Sequence, residues 1–385
     1  MRILVISSVL APEHGWGTIA RNTVMGLKAK GHDVSAVLQE KSQENLCPAI
    51  EGLPHPNTMM DSPLAWLRAA RLIAKAIRAF KPDVIHIAVE PYALALPLLR
   101  PFMRIPPTLL ILLGTYTVLP LHQTRTRWLM QRVYAQVTRF LSCSEYTRTQ
   151  MLKAIEEKCS PALRDHVESH TTLFRLGVED VPLPSKSPSS VKRILFLGGV
   201  KARKGVKELI DACGAFKRSS TVPFHLDVIG SFEPDTRYGK LILETIEKHD
   251  LQKNVTLHGH VPRERVEQAL SEADLFVMLS KPAGIHFEGF GMVFLEAGIR
   301  GVPVIGPNGS GCKEAIDDGV SGYAVDPDDP EAVAQRMKWI FEEHRITAEG
   351  CRAWVKKHNV EQQTTAFEQA YGEMLSTPNG WSHSF

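Results

Sequence analysis

Apolar residues along this chain come in short runs, and between the runs lie longer stretches in which apolar and polar positions recur three and four residues apart. Runs of the first kind fit buried strands and stretches of the second kind fit amphipathic helices, so their persistent alternation predicts parallel sheets covered by helices on both faces. The first run, Arg2–Ser7, gives way to a Pro/Gly loop and a helix near Thr18–Lys30. Gly31-His32-Asp33 then turns the chain into a strand at Val34–Leu38. Further strands are predicted at Val84–Ala88, Thr108–Leu113, Phe140–Cys143 and Thr171–Leu176.

After Gly177 the pattern stops. Residues 178–190 carry three prolines and four serines in a short polar stretch that continues neither element, as a domain linker would. Alternation resumes at Lys192-Arg-Ile-Leu-Phe-Leu, with strands predicted at Phe224–Ile229, Val255–His258, Leu275–Leu279 and Val302–Ile305. A chain of 385 residues exceeds what one core usually organises. The expected division is a first Rossmann-like domain over 1–178, a linker over 179–190 and a second Rossmann-like domain over 191–358. A final helix lies within 359–385, and ligand is expected where the carboxyl strand ends of the two domains face each other across a deep cleft.

Composition narrows the class. With 44% hydrophobic and 23% charged residues the chain is neither disordered nor membrane-spanning. The most apolar stretch, Ala93 to Leu113, is interrupted by Arg100, Arg104 and four prolines, and reads as a buried helix and strand. The opening Met1-Arg-Ile-Leu-Val-Ile-Ser has the alternation of a strand rather than the length of a signal peptide, so a cytoplasmic location is expected. Six cysteines, widely separated and without a Cys-x-x-Cys pair, imply free thiols. The histidine pairs His166/His170 and His258/His260 have no third ligand in sequence, so no metal is expected.

The candidate chemistry is concentrated in residues 284–314. Glu288-Gly-Phe-Gly291-Met-Val-Phe-Leu-Glu296 precedes Gly301-Val-Pro-Val-Ile-Gly306 and Gly309-Ser-Gly311. A helix starting near Phe290 would offer free N–H groups to phosphate, and glycines at 289 and 291 would let the backbone of Gly289, Phe290, Gly291 and Met292 approach it. Eight residues at helical rise place the two glutamates roughly 12 Å apart. A second polar turn, Gly198-Gly199-Val-Lys201-Ala-Arg203-Lys204-Gly205, lies between a strand and a helix, where cations beside free N–H groups suit a diphosphate.

The order strand, Glu-Gly-Phe-Gly, helix, Gly-Val-Pro strand, Gly-Ser-Gly resembles the donor site of the retaining GT-B glycosyltransferases of group 1, the family with a Glu-x7-Glu motif. The resemblance covers nearly the whole chain, with its specific motifs mostly in residues 195–325. It implies an α/β fold of the GT-B type and transfer of a hexose from a nucleoside diphosphate sugar to a hydroxyl acceptor with retention. By the same resemblance, Lys204 neutralises the leaving phosphate, Glu288 contacts the donor sugar and Glu296 takes the ribose hydroxyls. Gly259-His260-Val261-Pro262 falls where the family binds the base, and Gly230-Ser231 ends another strand on the same donor-side rim, where a steric role is expected. The family usually has arginine where this chain has Gly199, and Arg203 is a candidate replacement. It often has histidine where this chain has Leu113, before Gly114-Thr115. A catalytically silent nucleotide-sugar-binding homologue is therefore the alternative reading.

On the acceptor side, Pro12-Glu-His14-Gly15-Trp16-Gly17-Thr18 resembles the family's glycine-rich loop, with Thr18 as the expected helix cap and Gly17, a donor-binding candidate, as a point of close approach to the ligand. His14, Trp16, Tyr116 and His122 are the polar and aromatic candidates there. Same-face attack in this family leaves the acceptor proton with a diphosphate oxygen, so no protein base is required; no Asp-x-Asp pair lies beside a predicted strand end, so no metal is expected, and no cofactor besides the nucleotide-sugar co-substrate. Residues 1–180 hold 21 Lys and Arg against 15 Asp and Glu, leaving 24 against 27 for the remainder. Arg68, Arg71, Lys75 and Arg78 form one helical stripe, expected opposite Leu67, Ile73 and Ile77, that suits anionic lipid headgroups or plain solvent. No recognition motif for nucleic acid accompanies the charge.

Overall fold

Ile3, Leu4, Val5 and Ile6 are all fully buried, which requires cover on both faces of the strand that carries them. The computed structural model describes residues 1–12, 15–42, 44–185 and 189–376 and supplies that cover. Contacts divide the chain into one unit of Met1–Glu179 with Asn359–Phe385 and a second of Asp180–His358.

In the first unit β1 (Arg2–Ser7), β2 (Asp33–Leu38), β3 (Ala49–Glu51), β4 (Val84–Ile87), β5 (Thr108–Leu112), β6 (Arg139–Ser142) and β7 (Thr171–Leu173) form one sheet in the order β3-β2-β1-β4-β5-β6-β7. The described pairings are parallel. The strand order reverses between β1 and β4, so a crevice opens above the carboxyl ends of those two strands. The second unit repeats the plan with β8 (Lys192–Leu197), β9 (Phe224–Ile229), β10 (Val255–Gly259), β11 (Leu275–Val277), β12 (Val304–Pro307) and β13 (Gly322–Val325) in the order β10-β9-β8-β11-β12-β13. Its reversal lies between β8 and β11.

The closing helix, Val360–Ser376, packs within the first unit. Phe367 and Tyr371 are fully buried, Tyr371 Oη meets His86 Nδ1 at 2.5 Å, and Gln363 Oε1 accepts from the Gly177 N–H at 2.7 Å. Burial drives His86 down to about 3, so it is a neutral packing group. Two other expectations shift. The first helix spans Gly15–Ala29, so Thr18 lies inside it and is no cap. Leu67 is 46% exposed and stands with the arginines of helix Pro63–Phe80 rather than opposite them. No helix among the described residues is long and apolar enough to cross a membrane.

Candidate active site

In the second unit the two segments that leave the reversal point carry the candidate residues. β8 runs into Gly198-Gly199 and then a single 3-10 turn, Ala202–Lys204, which projects Arg203 and Lys204. Gly205 ends that turn at φ 73°, and a Cβ there would sit 2.0 Å from the Leu279 carbonyl oxygen, so only glycine lets this turn lie against the end of β11. The Lys281 N–H donates to the Arg203 carbonyl at 2.8 Å, which ties the segment after β11 to the same turn. Lys281 Nζ is itself held by Glu208 at 2.6 Å and Asp328 at 2.8 Å.

Glu288 arrives from the β11 side. Its Oε1 accepts from Lys204 Nζ and from Arg203 Nη1, each at 2.5 Å. Burial raises the carboxyl, but the two cations outweigh it and hold Glu288 below the usual carboxylate range. It is therefore an ionised acceptor, and its Oε2 takes no hydrogen bond from the described residues. The Glu288 carbonyl accepts from Gly311 N–H at 3.3 Å, so the Gly-Ser-Gly turn fixes its backbone.

The helix after it is shorter than the sequence predicts. It spans Met292–Gly298, with Gly291 ahead of it at φ 87°, a left-handed position where a Cβ would also press on the Phe294 ring at 2.7 Å. Phe290 thus precedes the helix and is buried, its ring 5.7 Å from that of His358, and only part of the span between the glutamates is helical. The estimate of 12 Å assumed a continuous helix and does not apply. Glu296 is on the helix and partly exposed. Arg300 donates to the Glu296 backbone carbonyl at 2.7 Å and pairs with Glu267. The Glu296 carboxylate therefore has no hydrogen bond or ion pair with the described residues. Burial raises it, against the opposing charges of Arg263 and Arg300.

The remaining donor-side candidates line the carboxyl edge of β9 and β10. Gly230 has φ 143° and lies against Gly198, whose oxygen a Cβ would meet at 2.0 Å. Its N–H donates to the Gly259 carbonyl at 2.9 Å, and His260 is exposed with Val261 beside it. Gly199 borders Ser231. His258 is occupied by Asp227 at 2.6 Å, and no group of three potential metal ligands occurs among the described residues. Cys312 lies behind Gly291, and burial lifts its thiol to about 12, so it packs rather than reacts.

In the first unit Trp16 and Tyr116 come together, ring centroids 5.1 Å apart, after β1 and after β5. Tyr116 Oη donates to Asn57 Oδ1. Gly17 is buried in the first helical turn against the Ala11 carbonyl, and Gly15 is the exposed glycine of that loop. His14 lies outside the described residues. His122 is not part of the Trp16 and Tyr116 group: it ends helix Thr115–His122, roughly 9 Å of helical rise beyond Tyr116, where burial and Lys158 lower it. Sequence reasoning missed Glu90. It follows β4, is 1% exposed, and its Oε1 accepts from the Leu113 N–H at 2.8 Å and from Thr117 Oγ1 at 3.2 Å. Burial raises its carboxyl to about 7. A carboxylate inside the apolar run Val-Ile-His-Ile-Ala-Val-Glu90 was the available signal.

Residues 181–359 match the family model described as glycosyl transferases group 1, and residues 14–155 match a glycosyl transferase 4-like domain. The amylovoran biosynthesis glycosyltransferase AmsK of Erwinia amylovora is 30% identical over 167 residues, which are 42% of this chain and 39% of that protein. A GDP-mannose-dependent alpha-mannosyltransferase of Corynebacterium glutamicum is 25% identical over 98% of this chain and 90% of its own length. Among solved structures, a sucrose-phosphate synthase of Thermosynechococcus elongatus shares the fold with a TM-score of 0.74 at 18% identity, over 97% of this chain and 99% of that one.

Proposed function

We propose, from the premise that the second unit belongs to the group 1 glycosyl transferases and the first is a glycosyl transferase 4-like domain, that this glycosyltransferase moves a hexose from a nucleoside diphosphate sugar to a hydroxyl acceptor with retention. The observation that carries the reading is the junction of Lys204, Arg203 and Glu288 at the reversal point of the second sheet, followed eight residues on by Glu296, whose carboxylate pairs with none of the described residues. A diphosphate entering there shares the two cations with Glu288, and Glu288 Oε2 accepts from a hydroxyl of the donor sugar. Glu296 accepts from the ribose hydroxyls. A nucleotide donor is also in keeping with the GDP-mannose named for the Corynebacterium glutamicum relative.

In the proposed step the bond from the anomeric carbon to the diphosphate breaks as the acceptor oxygen bonds to that carbon on the same face. The acceptor proton passes to the departing phosphate oxygen. Lys204 and Arg203 stabilise the charge that gathers on the diphosphate, and no protein base takes part. The polar contact expected from histidine at position 113 is absent, and Glu90, bonded to the Leu113 N–H, holds this turn instead.

The test is the anomeric configuration of the first product formed from an α-linked nucleoside diphosphate sugar, followed by proton NMR. An α product supports retention. A β product, or turnover by Lys204→Ala equal to that of the native enzyme, overturns the mechanism.

A further inference from the structure

At the amino edge of the first sheet, away from the carboxyl ends that carry Trp16 and Glu90, lies a cavity of about 560 Å³ that the glycosyl-transfer reading does not use. That volume suits a small molecule. Its rim is formed where β5, β6 and β7 begin, by Thr108, Arg139 and His170, and is completed by Arg100, Arg104 and His166.

The charge of this rim is one-sided. Three guanidinium groups and two imidazoles face a concavity with a single carboxylate, Glu373 of the closing helix, and that carboxylate pairs with Arg139. Arg100 and Arg104 form no hydrogen bond or ion pair with the described residues. Cations held together without counter-charge repel one another, and an anion between them removes that cost while taking paired N–H donors from each arginine. A second observation narrows the ligand. Gln136 also lines the cavity, and its Oε1 is buried without a hydrogen-bond partner. A buried carbonyl oxygen needs a donor, which a phosphate oxygen cannot supply and a ligand hydroxyl can. Leu96, Ile105 and Met374 complete an apolar wall for the ligand's carbon skeleton.

We propose that this cavity binds a phosphorylated polyol, with the phosphate on Arg100 and Arg104 and a hydroxyl on Gln136. The same chemistry is offered by a free metabolite and by a glycerol-bearing phospholipid headgroup. Phe102, 80% exposed between the two arginines, is placed to enter a bilayer in the second case.

The probes are sn-glycerol 3-phosphate, with glycerol as the uncharged control, by titration calorimetry, and vesicles of phosphatidylglycerol or phosphatidylcholine by co-sedimentation. Each is applied to the full chain and to the double variant Arg100→Gln, Arg104→Gln, both of whose sites are exposed and leave the core intact. Saturable binding of sn-glycerol 3-phosphate, silent with glycerol and at least tenfold weaker in the variant, supports a free ligand. Binding confined to phosphatidylglycerol vesicles and lost in the variant supports the headgroup. Binding of neither probe overturns the site. So does vesicle binding that the variant retains, since the stripe from Arg68 to Arg78 would then carry it.

Discussion

At the scale of single residues, the arrangement assigns different consequences to neighbouring side chains. Removing Lys204 leaves Glu288 still paired with Arg203, so Lys204→Ala is expected to keep the native thermal midpoint within a few degrees. Its kcat should fall about 10²- to 10³-fold, because the proposed mechanism loses a cation that stabilises the leaving diphosphate. Steady-state kinetics beside a melting curve separates the two effects. Glu90 is expected to act through pH. Its carboxyl titrates near 4.5 in the unfolded chain and near 7 when folded, so the folded state holds the proton more tightly. The stability that follows is fully present below pH 4.5, falls between pH 4.5 and 7 and is gone above that, a swing on the order of 3 kcal/mol. Tyr116 and Tyr134, the titratable groups that feel Glu90, stay neutral throughout that range. Denaturant unfolding should therefore show native protein gaining on Glu90→Gln as pH drops from 8 to 5, and a constant difference would contradict this account.

At the scale of elements, most strands were legible because their apolar runs are unbroken, and Arg2–Ser7 and Phe224–Ile229 occur as predicted. β3 and β13 were not. Ala49–Glu51 is a three-residue edge strand with no buried side chain, and Gly322–Val325 is a brief segment that periodicity cannot register. The helix bearing Glu296 was displaced because a left-handed Gly291 delays its start, a conformation that composition does not disclose. The turn at Gly205 combines both difficulties, and Gly205→Ala is expected to cost at least about 2 kcal/mol through its left-handed backbone and the Leu279 carbonyl, and to lower transfer by moving Lys204. Chemical denaturation and kinetics of the one variant report both. On the closing helix, Phe367→Ala is expected to cost about 3–5 kcal/mol, since its ring is fully buried beside His86 and Phe174.

At the scale of the whole molecule, the site in the second unit was largely legible and that in the first was not. Glu288 and Glu296 belong to one contiguous phrase and Lys204 to a second short turn, and glycines mark both. Trp16, Tyr116, Asn57 and Glu90 come from four segments far apart in sequence that only the fold brings together. The charge asymmetry places the basic surface on the first unit, where the stripe of helix Pro63–Phe80 is exposed. The central claim is that the second unit binds a nucleoside diphosphate sugar through Glu296 and the Lys204 turn. It is tested most directly by calorimetric titration of UDP-, GDP- and ADP-sugars into the native protein and Glu296→Ala. The account expects one base to bind selectively, with affinity reduced about 10- to 100-fold in the variant, the loss for hydrogen bonds to a charged acceptor. Binding of no donor, or equal affinity in both proteins, would contradict it.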